Sequence, residues 1–216
     1  MIVQKHLVVP FLPIGELAAL NDISEQLDTI QKHDISYVPW EAYSYKPKVD
    51  FALAHTDYAL LLKFYVSEKT VRAIYAKPND PVYKDSCVEL FISFDDEMGY
   101  YNFEFNCAGT CLLGFGKDRN ERHQLPEKLI GRIRHQSLLM PSACAEANIS
   151  WELTVEIPLE LFPYHEITSL TGKKARANVY KCGDDLPEPH YLAWNHIKTE
   201  EPDFHRPEYF GSFEFS

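Results

Sequence analysis

Apolar positions alternate with polar or small ones over much of this chain. In residues 86–94 and 100–106, large apolar side chains take every second place, the signature of strands with one face to bury. Residues 58–66 form a third strand-length apolar run, and shorter ones follow at 151–157, 175–180, 191–195 and 212–215. Between them lie turn-forming clusters at 77–81 and 95–99, and a Pro-rich loop spans 200–207. The first 50 residues read differently. After a short apolar strand at 2–9, Leu17, Leu20, Ile23, Leu27 and Ile30 recur at spacings of three and four, which predicts a helix within 14–32. Many short strands separated by turns predict an all-β, antiparallel β-sandwich of the immunoglobulin or jelly-roll kind, with a short N-terminal helical segment. No repeat or low-complexity linker divides the chain, so residues 1–216 are read as one domain, with 1–50 an N-terminal extension packed on the sandwich.

Composition supports a globular β protein, with 13 Tyr and 13 Phe suited to pleated surfaces. A net charge of −11 argues against nucleic acid and anionic membrane as partners, because both are bound through Lys and Arg. The N-terminal residues lack the basic, long apolar and small-residue regions of a secretory signal, so a cytoplasmic location is expected. Cys87, Cys107, Cys111, Cys144 and Cys182 have no paired CxxC spacing and read as reduced core thiols.

Signatures of catalysis are missing. There is no GxSxG, and none of the nine histidines lies in HExxH spacing. Gly114-Phe115-Gly116 lacks the third glycine of a dinucleotide fingerprint and any surrounding βαβ pattern, and is assigned to a hairpin turn. Glu89, Glu104 and Glu156 are the carboxylates from which a glycosidase pair would have to be drawn. On a half-buried strand, however, such residues are ordinarily the polar half of the alternation. Among aromatics, Tyr83 and Phe204 fall in loops, and Trp194 is a further candidate platform.

Four segments resemble carbohydrate-binding module family 9 and its DOMON-like relatives: residues 81–92 with Tyr83 and Asp85-Ser86-Cys87-Val88-Glu89, residues 100–106, the strand-like 151–157, and the C-terminal 204–213. Their order and spacing fit the family over roughly 51–215. The resemblance implies a β-sandwich that binds a mono- or oligosaccharide without catalysis. Its sugar slot lies between two aromatic rings, here Tyr83 and Phe204, with Glu89, Glu104 and Asn106 holding hydroxyls. The family typically has tryptophans at the ring positions and arginine where this chain has Glu104, a change from donor to acceptor that points to a different sugar, such as an amino sugar. No cofactor is required, although family members bind Ca²⁺, for which the acidic loop Asp95-Asp96-Glu97 is the candidate here. A glycoside-processing enzyme and an interaction module that has lost its sugar slot are the alternatives.

Overall fold

The computed structural model describes residues 4–95, 98–140 and 148–216. Thirteen strands are present among them: β1 (His6–Val9), β2 (His33–Asp34), β3 (Lys48–His55), β4 (Ala59–Glu68), β5 (Cys87–Asp95), β6 (Gly99–Asn106), β7 (Cys111–Gly116), β8 (Arg122–Gln124), β9 (Arg134–Met140), β10 (Ile149–Pro158), β11 (Lys174–Cys182), β12 (Tyr191–Ala193) and β13 (Gly211–Phe215). They form two stacked sheets. The front sheet runs β1-β13-β11-β5-β6-β7-β8, with β12 also on β11, and the back sheet runs β2-β3-β4-β10-β9. This is the β-sandwich expected from the alternation, with one departure: β1 lies parallel to β13. The chain then crosses to the back sheet, where Phe11 bridges His55.

The core follows the period of two. Val88, Leu90 and Ile92 of β5 and Tyr101, Phe103 and Phe105 of β6 point inward against Phe51, Leu62, Phe64, Trp151 and Leu153 of the back sheet. Each sandwich face is then covered a second time, so few strands show a clean polar side. Helix α1 (Leu20–Thr29) lays Ile23 and Leu27 on Ala52, Ala54, Ala59 and Leu61 of the back sheet, where the alanines permit close approach. The helix is shorter than the periodicity predicts. Leu17 lies upstream of it and is almost fully exposed. On the front sheet, loops carry Trp40, Val82, Phe204 and Phe210 onto Phe91, Tyr100 and Tyr180. Helix α2 (Glu127–Ile130) is a single turn. Among the described residues, no helix is long and apolar enough to cross a membrane.

The glycines of 114–116 correct the hairpin-turn assignment, because both lie within β7. A Cβ on Gly114 would stand 2.6 Å from Asn102 Oδ1, and one on Gly116 would stand 2.4 Å from Arg122 Cα. They are glycine because neighbouring strands approach too closely for a side chain.

Candidate functional site

The outer face of the front sheet carries the chemistry. Strand parity sends Cys87, Glu89 and Phe91 outward from β5, and Tyr100, Asn102, Glu104 and Asn106 outward from β6. Register then sets Glu89 directly opposite Glu104 on one side and Tyr180 of β11 on the other, with Cys87 opposite Cys182. Loops build walls above this floor. Tyr83 stands on a 3-10 turn, Val82–Lys84, whose carbonyls at Tyr83 and Lys84 accept from the amides of Asp184 (3.1 Å) and Asp185 (3.2 Å). Just beyond it, Asp85 is fully buried and accepts from the amides of Ile74 (2.9 Å) and Tyr75 (3.0 Å), anchoring the neighbouring segment. The Pro-rich loop contributes Phe204 and His205, the start of β12 contributes Tyr191, and β8 and the turn before it contribute Arg122 and Arg119. Together they enclose a cavity of about 410 Å³.

Two buried carboxyl groups side by side cannot both ionise freely. Burial, and then the Glu104 charge, hold the Glu89 carboxyl well above its ordinary range. Burial also raises Glu104, but Arg122 Nη1 at 3.3 Å and Asn102 Nδ2 at 2.9 Å donate to its Oε1 and oppose that rise. Of the two, Glu89 is held further toward its protonated form. The floor sets a carboxyl biased toward donating opposite one that already accepts from Asn102 and Arg122. Glu104 Oε2 is buried without a hydrogen-bond partner. Asp184, hydrogen-bonded by the Tyr191 hydroxyl, is raised to about 6, chiefly by burial. Burial and the Arg122 and Arg119 charges push His205 down to about 2, so it is neutral, and its Nδ1 pairs with the Tyr100 hydroxyl at 2.8 Å.

The cavity brings together four of the six binding residues expected from sequence: Tyr83, Glu89, Glu104 and Phe204. Phe204 is 9% exposed and stacks on Tyr180 at 4.1 Å, so one ring face is already covered. The half-buried Tyr191 lies edge-on to it at 6.0 Å and adds a ring that sequence reading missed. Asn106 and Trp194 lie outside the cavity. The Asn106 amide donates to Tyr75 O and Asp85 Oδ2, while its Oδ1 accepts from the amides of Ala108 and Thr110, so it is used in closing the β6–β7 turn. Trp194 follows the outward-facing Ala193 and turns into the core between Phe51 and Phe213. Glu156 lies on the outer face of the back sheet, paired with Arg134, and cannot join Glu89 and Glu104 in a catalytic pair. Of the acidic loop considered for calcium, Asp96 and Glu97 are outside the described residues, as is Cys144. The other four cysteines are buried free thiols.

Arg119, Arg122, Asp184, Tyr191 and His205 were not singled out from the sequence. His205 adjoins Phe204 in the chain, a signal that could have found it. Arg122 and Asp184 reach the cavity only through the tertiary pairing of distant segments.

The chain is thus a β-sandwich with a ring-walled, carboxylate-floored pocket on one sheet, and the family match makes it a carbohydrate-binding module. The chain belongs to carbohydrate-binding family 9, whose model matches residues 20–215. That family is one of non-catalytic binding modules. The structure is similar to that of a protein of Bacteroides uniformis ATCC 8492, provisionally named as carbohydrate-binding, at 36% identity and TM-score 0.89, covering 99% of this chain and 100% of that one. It shares its fold with a family 9 module of Caldicellulosiruptor kristjanssonii solved with cellotriose (11% identity, TM-score 0.63, covering 98% of this chain and 93% of that one). A family 9 module of the same organism solved with glucose is also similar (12% identity, TM-score 0.57, covering 98% and 96%). No curated protein matches the chain in sequence.

Proposed function

We propose that this protein binds a mono- or oligosaccharide in the front-sheet pocket and performs no chemistry on it. The observation that carries the reading is the Glu89–Glu104 pair lying as a floor beneath the Tyr83, Tyr191 and Phe204 rings in one cavity of about 410 Å³. A pyranose has an apolar C–H face suited to a ring and a rim of hydroxyls that needs both donors and acceptors. Glu89, held toward its protonated form, is placed to donate, Glu104 and Asp184 to accept, and Arg122 restores a cation beside the position where the family pattern has arginine. Net charge of −11 sets the protein against polyanionic partners.

Thermal unfolding with glucose, cello-oligosaccharides, amino sugars and uronic acids, each with and without Ca²⁺, tests this. A ligand at ten times its Kd stabilises the native state by about 1.4 kcal/mol. A sugar-specific rise in Tm that vanishes in Tyr83→Ala and Tyr191→Ala is expected, while no rise at millimolar concentration with any of these sugars would overturn the reading. Turnover of a chromogenic glycoside that is abolished by Glu89→Gln would overturn its non-catalytic part.

A further inference from the structure

The pocket floor carries two thiols that sugar binding does not use, beside Glu89, which it does. Cys87 and Cys182 are paired residues on β5 and β11, and Glu89 lies two positions beyond Cys87 on the same face. All three are buried, and their donor atoms lie within 4.8 Å of one another. Glu89 Oε1 is 3.1 Å from Cys182 Sγ and 3.9 Å from Cys87 Sγ. A tetrahedral zinc ion, about 2.3 Å from sulfur and about 2.1 Å from oxygen, separates its sulfur and oxygen ligands by about 3.5 Å. The two observed separations bracket that value within a few tenths of an ångström. The donors come from adjacent, fully paired strands and need little rearrangement to converge.

We infer that Cys87, Glu89 and Cys182 form a binding site for one thiophilic divalent cation of zinc's class at the floor of the pocket. Two sulfurs and one carboxylate are a soft donor set, which selects zinc, cobalt or cadmium over the hard, oxygen-seeking calcium and magnesium. A cation there neutralises the carboxyl crowding between Glu89 and Glu104. Binding releases the two thiol protons, together with the proton held on Glu89, to solvent, leaving two thiolates and one carboxylate as ligands. Cys182 and Glu89 also line the cavity, so the remaining tetrahedral position opens toward it, where water or a ligand hydroxyl completes the coordination. Glu104 faces Glu89 across the strands, and its unpartnered Oε2 can accept a hydrogen bond from that water.

Cobalt titration of the full chain, stripped of metal and kept under a non-chelating reductant, tests the site without any sugar present. One equivalent of Co²⁺ should produce thiolate-to-cobalt charge transfer together with the visible bands of tetrahedral cobalt, and Zn²⁺ should bleach both. Cys87→Ser and Cys182→Ser should weaken cobalt binding by about 100-fold or more, beyond what loss of a supporting hydrogen bond costs. Cys107→Ser, a thiol on the inner side of the sandwich, should leave the bands intact. Wild-type Tm should rise with Zn²⁺ and not with Ca²⁺, a readout that does not depend on the variants folding. Absence of the bands in folded, fully reduced wild type, or their persistence in both Cys87→Ser and Cys182→Ser, would overturn the inference. A protein that takes cobalt but no sugar would defeat the sugar reading and leave this one standing.

Discussion

Glu68 shows how much the interior asks of a single residue. It lies on β4 with no solvent exposure, accepts from Trp151 Nε1 at 2.7 Å, and faces Lys181 Nζ at 3.0 Å, which is equally buried. Lys181 also donates to Cys182 O (2.8 Å) and pairs with His190 Nε2 (2.9 Å), and His190 in turn donates from Nδ1 to Glu188 O. The ammonium is thus both charge-paired and hydrogen-bonded, the condition under which a buried ion is tolerable. Lys181→Met should therefore destabilise the protein by about 3–5 kcal/mol, since it strands the Glu68 charge in the core. The double variant Lys181→Met, Glu68→Gln keeps an acceptor for Trp151 and removes that charge, so urea denaturation should show most of the loss recovered. Equal losses in the single and double variants would mean that charge pairing is not what the cluster supplies. Alternation adds a consequence: Lys181 points into the core while Cys182, its neighbour, points into the pocket.

At the scale of elements, the β7–β8 ribbon decides where Arg122 stands. Gly116 lets β8 close on β7, with a hypothetical Cβ meeting Arg122 Cα at 2.4 Å and Glu121 O at 2.5 Å, backbone atoms that cannot simply swing aside. Gly116→Ala should cost about 1–3 kcal/mol by overpacking and should weaken sugar binding as well, because Arg122 withdraws from Glu104. Gly131→Ala is the matched comparison. Its Cβ would meet nothing nearer than 3.5 Å and its φ of −63° suits alanine, so it should be neutral or add about 0.4–1 kcal/mol. Calorimetry on both variants checks the pair; similar destabilisation in each would deny the close-approach argument. The same ribbon shows where sequence reading stops. Strands β4, β5, β6, β10, β11 and β13 were legible because apolar runs or alternation mark them. Strand β7 was not, because glycines needed for close strand contact look like glycines needed for a turn. Strand β9 was missed because it is an edge with most side chains exposed, so no periodicity distinguishes it from a loop. In the site, the outward parity of Glu89 and Glu104 could be read, but Asn106 shares that parity and is consumed by a turn that parity cannot reveal. Trp194 fails for the opposite reason, since the chain places Ala193 outward and the next ring inward.

Across the whole molecule, both outer faces of the sandwich are covered, and the front sheet holds a neutral histidine on each of its sides. His190 lies toward the core with Lys181, Glu68 and the Tyr45 ring around it, and burial followed by the Lys181 charge pushes it down to about 3. His205 lies on the pocket side against Phe91 and Tyr100, lowered to about 2 with Arg122 and Arg119 nearby. In the unfolded chain both take a proton near their ordinary value of about 6.5, whereas the folded protein refuses it until far more acid. Their contribution is therefore complete above about pH 6.5 and is lost as pH falls toward the folded values, at about 1.4 kcal/mol per pH unit for each histidine. Asp184, raised to about 6, works in the opposite sense between its ordinary range and that value, so the total slope is smaller than the sum of the two histidines. The contribution of one histidine is isolated by difference. His205→Phe keeps a ring against Phe91 and removes one titrating group, and between about pH 6 and pH 4 its unfolding free energy should fall less steeply than that of wild type by close to one proton's worth. Urea denaturation across that range measures both slopes; if they coincide, His205 takes up its proton in the folded state, and the loop carrying Phe204 opens to admit it.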